Sequence, residues 1–313
     1  MQLQYKHLAI FTLLFLNCFI SAAQDTEINR TDLKSHQNAL ELYDKEKYSA
    51  AIHAFEEAMG EINDPTSMVY EDSEFYKALC AINLFSRNAE YLLRDFLIKY
   101  PESARVKDAK FQLGVYNYRQ KQWEEVIQWF DEIDPYDLST DKRQEMYFKK
   151  GYAYFREDQL DEAKSSFYNL IDIPSEYYAP ANYYYGHINY EQGNYETALK
   201  SFQKIATDEK FSAVVPYYVT QIYYNQKRYD SVITYASPLV EQEDIKRKPE
   251  ISRLVGESHF NNEDYKEAIP YLELFVKESR TKTREDDFQL GYAYYKSNDP
   301  ESAISYFKKT TYS

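Results

Sequence analysis

A short pattern of small and apolar residues recurs along almost the whole of this 313-residue chain. In its clearest copies a glycine is followed 12 positions later by an alanine, and 4 positions after that by a phenylalanine. The glycines of these copies are Gly151, Gly186 and Gly291. A repeat of nearly constant period decides the architecture of a chain, because each copy is one structural unit that stacks on the next.

The same template fits five further segments less strictly, which makes eight copies. The small residues that begin the template are Ala39, Cys80, Gly114, Gly151, Gly186, Thr220, Gly256 and Gly291. They are 41, 34, 37, 35, 34, 36 and 35 residues apart. The predicted repeats span roughly 32–65, 73–102, 107–136, 144–175, 179–210, 213–244, 249–279 and 284–313. We therefore expect residues 24–313 to form one elongated array rather than two globular domains.

Each copy predicts two helices joined by a short polar turn. In the fifth copy Ala198, Phe202 and Ile205 share one face of a helix, because their spacing follows the helical period. The chain has only 7 Gly, and five of them occupy the small position, where two helices cross closely. Pro238 and Pro270 fall inside predicted second helices, where we expect local kinks.

The arrangement resembles the tetratricopeptide repeat, a helix-turn-helix unit of 34 residues with small and aromatic residues at set positions. The resemblance runs from about residue 31 to the end of the chain, although the early tryptophan of the family is absent from every copy. It implies an all-α fold, a right-handed α-solenoid of about eight repeats. The segment 96–103, which leads into 111–114, is similar to repeats of periplasmic members of the family that serve the bacterial cell envelope.

Residues 1–23 predict a secretory signal peptide. A positive charge precedes a mostly apolar run at 8–20, and residues 21–23 are the small residues that favour a cut before Gln24. The run is too short to cross a membrane comfortably, so we expect no membrane span after cleavage. An uncleaved anchor and a lipidated Cys18 stay open as alternatives. We expect an exported protein, which in a Gram-negative bacterium lies in the periplasm or at the outer membrane.

The last predicted copy ends within its second helix, without a further polar helix to cover its apolar face. An exposed apolar end is unfavourable in water. We therefore expect the chain to continue as further repeats beyond residue 313, or its C-terminal face to dock on a partner.

The chain is acidic, with 51 Asp and Glu against 37 Lys and Arg and a formal net charge of -14. Nucleic-acid binding rests largely on basic residues that neutralise phosphates, so we expect no nucleic-acid partner. An acidic surface instead attracts a protein or peptide partner with basic segments.

None of the sequence motifs is typical of catalysis or metal binding. The five His include no pair at the spacing of a zinc motif, and phosphate-binding glycine loops and G-x-S-x-G are absent from the sequence. Adjacent acids such as Asp161 and Glu162 lie at predicted helix starts, where they meet the helix dipole. We expect no catalytic residue, no metal and no cofactor, and we interpret His187 as an ordinary polar surface histidine.

Aromatic residues recur on one face of the predicted first helices, at positions seven residues and thus two helical turns apart. In the family this face lines the concave groove, so the resemblance implies a partner-binding surface. The predicted groove residues are Tyr118, Tyr152, Phe155, Tyr183, His187, Tyr190, Tyr217, Tyr224, Phe260, Tyr292 and Tyr295. Tyrosine offers a large amphipathic contact and is enriched at interfaces. Packing between adjacent first helices is the alternative explanation for these rings.

The leading hypothesis is an exported, non-catalytic scaffold that binds protein or peptide partners along a tyrosine-rich groove, in cell-envelope or outer-membrane assembly. Two other hypotheses stay open. One is a carbohydrate-binding solenoid, because tyrosine faces also stack on sugars. The other is the recognition part of a longer enzyme whose catalytic domain follows residue 313.

Overall fold

The computed structural model describes residues 33–62, 64–243 and 245–311. These residues form sixteen α-helices joined by turns, and they contain no β-strand. The predicted all-α fold of paired helices is confirmed. None of the helices in these ranges is long and apolar enough to cross a membrane. The predicted signal peptide, residues 1–23, lies outside the described residues.

The helices belong to two compact units, and the boundary between them falls after Glu157, in the turn of the fourth repeat. The first unit also holds a short 3-10 helix, Pro135–Asp137. Its α-helices are α1 (33–44), α2 (Tyr48–Glu61), α3 (Met68–Asn83), α4 (Ala89–Lys99), α5 (Val106–Gln120), α6 (Trp123–Asp131) and α7 (Thr140–Arg156). Those of the second unit are α8 (Leu160–Tyr168), α9 (Tyr178–Glu191), α10 (Tyr195–Lys204), α11 (Val215–Asn225), α12 (Tyr229–Val240), α13 (Lys248–Asn261), α14 (Tyr265–Glu278), α15 (Arg284–Lys296) and α16 (Pro300–Thr311).

Serine caps explain why two first helices begin earlier than predicted. Ser67 Oγ accepts a hydrogen bond of 3.3 Å from the backbone N–H of Tyr70, and α3 begins at Met68. Ser139 caps α7 in the same way, and that helix begins at Thr140. A side-chain oxygen at this position satisfies an amide group that a helix start leaves without a partner. The repeat template missed both starts because it rests on packing positions rather than on caps.

In repeats that lie within one unit, the core lies between the two helices, where the small residue of the first faces a large apolar residue of the second. A Cβ built on Gly186 would lie 3.0 Å from the Phe202 ring, and one built on Gly256 would lie 2.8 Å from the Leu272 side chain. These separations are shorter than ordinary carbon contacts, so the absence of a side chain lets the helices approach. The predicted pairing of small and large residues is confirmed at these positions.

The second repeat has a different register from the predicted one. In the other seven repeats a residue of positive φ ends the first helix, and the first buried residue of the second helix follows five positions later. In the second repeat the positive-φ residue is Phe85, and buried Ala89 follows after four. Counting back seven residues, as in the other repeats, leads to Ala78. Ala78 rather than Cys80 is therefore the equivalent small residue, and the turn is one residue shorter.

Pro238 and Pro270 lie inside α12 and α14, as predicted. Four other prolines follow the ends of second helices: Pro65, Pro101, Pro135 and Pro174. The local kinks expected at the two internal prolines stay a prediction.

Candidate binding surface of the first helices

The eleven predicted groove residues all lie on first helices, and none of them is fully buried. Ten are half-buried, whereas Tyr295 is 60% exposed. The rings at the phenylalanine position of the second helices behave differently, since Phe130 and Phe202 are 0% exposed. The first helices therefore carry aromatic side chains that pack on their neighbours and keep part of their surface accessible.

Three rings of the first unit meet edge to face: Tyr118 on α5, Trp123 at the start of α6 and Tyr152 on α7. Their centroids are 5.5 to 5.7 Å apart. Arg156 lies over the Trp123 ring at 5.2 Å, and Lys149 lies over Tyr118 at 5.3 Å. The ring quadrupole makes aromatic rings attract each other edge to face, and it attracts a cation to the face of a ring. Burial raises the pKa of Tyr118 to about 12, so its hydroxyl stays protonated well above neutral pH.

The second unit contains an equivalent cluster of Phe260 on α13, Tyr265 at the start of α14 and Tyr292 on α15. Centroid distances are 5.2 Å from Phe260 to Tyr265, 5.7 Å from Phe260 to Tyr292 and 5.9 Å between the two tyrosines. Lys296 lies within 5.5 Å of Tyr265 and 5.7 Å of Tyr292. Each cluster thus combines two residues of one repeat with the residue that follows the glycine of the next repeat.

Sequence reasoning missed the middle member of both clusters. The sequence contains a signal for this residue, because five second helices begin with an aromatic residue. These residues are Tyr48, Trp123, Tyr195, Tyr229 and Tyr265. These residues begin a helix of the opposite set, so a search confined to first-helix faces does not find them.

The equivalent position between α9 and α11 is polar. The Tyr190 hydroxyl donates a hydrogen bond of 2.6 Å to Gln221 Oε1, and Gln221 Nε2 donates one of 2.7 Å to the Tyr217 hydroxyl. The Arg247 guanidinium lies 4.5 Å from the centroid of the Tyr217 ring. Gln221 replaces the third ring of the aromatic clusters, and a chain of hydrogen bonds replaces the ring contacts.

His187 is not the surface histidine that the sequence predicted. It is half-buried and stacks on Tyr183, with ring centroids 6.3 Å apart and planes 5° from parallel. Its ring also lies 5.5 Å from that of Tyr218. Burial lowers the pKa of His187, so the ring is neutral at physiological pH. The sequence template missed this environment because it does not include the adjacent Tyr218.

Tyr218 lies at the centre of a group of rings in the second unit. Its centroid lies 5.1 Å from Phe202, 5.6 Å from Tyr190 and 6.1 Å from Tyr183. Burial raises the pKa of Tyr218, so its hydroxyl also stays protonated. Three of the predicted groove residues, Tyr183, His187 and Tyr190, are thus brought together around a tyrosine that the sequence did not single out.

Tyr224 belongs to a further site, which contains a carboxylate. Burial raises the pKa of Glu257, whose side chain is 16% exposed, and Arg253 Nε lies 3.6 Å from its Oε1. Burial and the charge of Glu257 together raise the pKa of Tyr224. The Tyr224 ring also packs against Tyr229, with centroids 5.7 Å apart. Glu257 occupies the position of Gln221 and Tyr292 in neighbouring repeats.

The remaining predicted residues lie towards the ends of first helices. Phe155 is half-buried near the end of α7. Tyr295 lies near the end of α15 and contacts Tyr292, with centroids 6.3 Å apart. Phe288 on the same helix is 53% exposed. Phe288 and Tyr295 are thus the more accessible aromatic side chains of helix α15.

One cluster of the first unit has the composition of a nucleophilic triad but not its geometry. His36 Nδ1 lies 2.9 Å from Ser73 Oγ, and His36 Nε2 lies 3.6 Å from Asp72 Oδ2. Ser73 is 0% exposed, and its hydroxyl donates to the Val69 carbonyl at 2.7 Å. Oγ therefore accepts from His36, which makes the cluster a link between α1 and α3. Within the described ranges no group of three or more His, Cys, Asp or Glu is placed to hold a metal ion.

The family profile described as Tetratricopeptide repeat matches residues 144–177 and 288–312, which overlap the fourth and eighth predicted repeats. No curated protein matches the sequence.

Several solved structures are similar in fold. A tetratricopeptide repeat protein from Parabacteroides merdae is 18% identical and covers 77% of this chain and 91% of its own, with a TM-score of 0.44. The C-terminal part of a TPR repeat-containing protein from Cytophaga hutchinsonii is 15% identical and covers 88% and 93%, with a TM-score of 0.46. PilF of Pseudomonas aeruginosa is 16% identical and covers 65% and 89%, with a TM-score of 0.45.

Proposed function

We propose that this chain, which contains tetratricopeptide repeats, is a non-catalytic scaffold that binds a protein or peptide partner on the aromatic surface of its first helices. The observation that carries the proposal is a contrast within one repeat. Phe202 of the second helix is 0% exposed, whereas Tyr183 and Tyr190 of the first helix are half-buried. A ring whose only role is packing contributes most to stability when it is fully buried. Rings that keep an accessible part and a polar tip suit a protein interface.

The chemistry of this surface favours a polypeptide partner. Tyrosine hydroxyls such as that of Tyr118, whose pKa burial raises further, are protonated at neutral pH and are able to donate to backbone carbonyls. Side-chain amides such as that of Gln221 offer both a donor and an acceptor. The net charge of -14 attracts a partner with basic segments.

We extend the proposal to an exported scaffold of the cell envelope. The support is the sequence of residues 1–23 and the similarity of the segment 96–103 to repeats of periplasmic proteins. A part in outer-membrane assembly is the most specific form of the proposal and rests on the same similarity.

The test compares two pairs of exposed aromatic residues. Phe288 and Tyr295 on first helix α15 are 53% and 60% exposed, and Tyr91 and Tyr168 on second helices are 66% and 62% exposed. Partners are captured from envelope extract with the unaltered chain and identified. Their affinity is then measured for the double variants Phe288→Ser with Tyr295→Ser and Tyr91→Ser with Tyr168→Ser.

We expect the first-helix variant to bind the identified partner at least about tenfold more weakly, because exposed aromatic residues contribute strongly at interfaces. The second-helix variant should bind normally, and both variants should stay folded, which circular dichroism checks. Equal binding by both variants would contradict the proposal. Binding to a glycan array without a protein partner would favour the carbohydrate hypothesis, and a catalytic motif encoded after residue 313 would favour the enzyme hypothesis.

A further inference from the structure

The turn inside the second repeat has an unusual residue at its tip. Each of the eight repeats has a residue of positive φ after its first helix. In the other seven repeats this residue is Glu46, Lys121, Asp158, Gly193, Lys227, Glu263 or Asn298. In the second repeat it is Phe85, with φ of 53°, and its side chain is 74% exposed. Polar residues or glycine thus occupy an exposed turn in seven repeats, and a large apolar residue occupies it in one.

Phe85 is unfavourable to folding in two ways. The left-handed conformation is costly for a residue with a bulky side chain, whereas glycine and asparagine adopt it readily. The ring also stays mostly exposed in the folded chain, so folding removes little of its apolar surface from water and gains little free energy from it. A large apolar residue that is unfavourable in the turn and lies outside the buried core, at a position where the same fold accepts polar residues, suggests a role in binding.

The surroundings of Phe85 combine apolar surface with positive charge. Leu84, the preceding residue, is 40% exposed. The Arg119 guanidinium on α5 lies 5.9 Å from the centroid of the Phe85 ring, and Arg87 follows two residues later in the turn. Both arginines are exposed, and neither forms an ion pair with a carboxylate in the described part of the chain. Although the protein has a net charge of -14, the two arginines make this part of its surface locally positive. An acidic ligand is therefore not repelled there.

We propose that Leu84, Phe85, Arg87 and Arg119, which we name the Phe85 patch, dock an acidic segment of a protein partner that presents an apolar side chain between carboxylates. The apolar side chain contacts the Phe85 ring and Leu84, and the carboxylates pair with the two guanidinium groups. Arginine is suited to this because its planar group binds a carboxylate through two parallel hydrogen bonds. The proposal is independent of the aromatic surface of the first helices, which favours a basic partner.

The test uses two synthetic peptides of the same length with the same apolar centre, Glu-Glu-Leu-Phe-Glu-Glu and Lys-Lys-Leu-Phe-Lys-Lys. Each is titrated into the isotope-labelled full chain, and backbone amide shifts are followed by NMR. We expect the acidic peptide to shift the amides of residues 84–87 and 119, with an affinity that falls as salt is added. The basic peptide should leave them unchanged. Equal shifts with both peptides, or none at millimolar concentration, would overturn the proposal.

Substitution separates binding from folding. Phe85→Asn should raise the melting temperature by about 2–4 °C, because asparagine tolerates the turn conformation, and should weaken the acidic peptide at least about tenfold. Lys227→Asn, at the equivalent turn position of another repeat, should leave peptide binding unchanged. A Phe85→Asn variant that melts lower would show that Phe85 is structural, and one that binds the acidic peptide normally would show that the ring does not take part in docking; either result would overturn the proposal.

Replacement of the two arginines and measurement of the oligomeric state are two further tests of the proposal. Arg87→Gln with Arg119→Gln should weaken the acidic peptide and remove most of its salt dependence while the chain stays folded. Sedimentation should show the same oligomeric state for the unaltered chain and Phe85→Asn. A dimer that dissociates on Phe85→Asn would make a second copy of the chain the occupant of the patch, and so overturn the proposal of a separate acidic partner.

Discussion

The hydroxyl of Tyr190 on α9 donates a hydrogen bond of 2.6 Å to Oε1 of Gln221 on α11, which joins two consecutive repeats. The Tyr190 ring packs at the same time against Tyr218, with centroids 5.6 Å apart. A residue predicted from the sequence to bind a partner is thus also part of the contact between repeats. Its replacement by alanine would remove both contacts, so smaller substitutions are needed to separate binding from stability.

Tyr190→Phe should lower the free energy of unfolding by about 1 kcal/mol, because it removes the hydrogen bond to Gln221 and keeps the ring. Denaturant unfolding with an unchanged m-value measures this loss. Tyr168→Phe is the matched control, since Tyr168 is 62% exposed and its substitution should change little. In a chain that already carries Gln221→Leu, the Tyr190→Phe substitution should cost much less. A loss of the same size in both backgrounds would mean that the hydrogen bond does not couple the two repeats.

Gly256→Ala should destabilise the chain by about 1–3 kcal/mol through overpacking. The added Cβ would lie 2.8 Å from the Leu272 side chain and 3.1 Å from its backbone nitrogen, so rotation of the leucine alone does not relieve the clash. Gly60→Ala is the control, because a Cβ there meets nothing within 4 Å. It lies in helix α2, where alanine is favoured over glycine by about 0.5–1 kcal/mol. The melting temperature should therefore fall in Gly256→Ala and rise in Gly60→Ala.

Glu257 makes the stability of the second unit depend on pH. Burial raises its pKa in the folded state above the unfolded value, so folding favours the protonated carboxyl. The groups that face it are Tyr224 on α11, Arg253 on α13 and Asp286 on α15. As pH rises from the unfolded pKa through the folded one, the carboxylate forms in a poorly solvated place and stability is lost.

Glu257→Gln should accordingly raise the melting temperature near pH 7, and the gain should shrink as the pH is lowered towards the unfolded pKa of glutamate. Glutamine imitates the protonated acid and still accepts a hydrogen bond from Tyr224. Melting curves of both proteins across this range provide the measurement. A gain that is constant with pH would mean that the titration of Glu257 is not its cause.

Spacing in the sequence predicted those contacts that lie within one repeat. Gly256 and Leu272 face each other because they are separated by the turn of a helical hairpin, and a fixed number of residues leads from one to the other. The register of the second repeat was missed because Ala78, Cys80 and Ala81 are all small. A pattern of small residues does not distinguish among them, and a turn shortened by one residue leaves no mark of its own.

Contacts between repeats were predicted less well. Trp123 meets Tyr118 and Tyr152, which come from two different first helices, while Trp123 itself opens a second helix. The period identifies equivalent positions but not the distance between unlike positions of neighbouring repeats. His187 was misjudged for the same reason, since its burial depends on Tyr218 of the following repeat.

Cys80 should be unreactive in the folded chain. It is 0% exposed, and burial raises the pKa of its thiol to about 12, so hardly any reactive thiolate is present at neutral pH. A thiol reagent followed by peptide mapping should label Cys80 only after denaturant is added. If Cys80 in the folded chain reacted as fast as an exposed cysteine, it would not be buried in the packing of α3.

The predicted signal peptide leads to a precise mass for the mature protein. We expect cleavage before Gln24 to remove residues 1–23, because a short apolar run followed by small residues is the pattern that signal peptidase recognises. Intact mass spectrometry of the protein purified from its native cells should find a chain that begins at Gln24. Ala23→Leu should block the cut and retain the uncleaved chain, whereas Ala22→Leu should have a smaller effect because it changes a position less critical for cleavage. A chain that begins at Cys18 with an added lipid mass would establish the lipidated alternative, and an uncleaved native chain would establish the anchor.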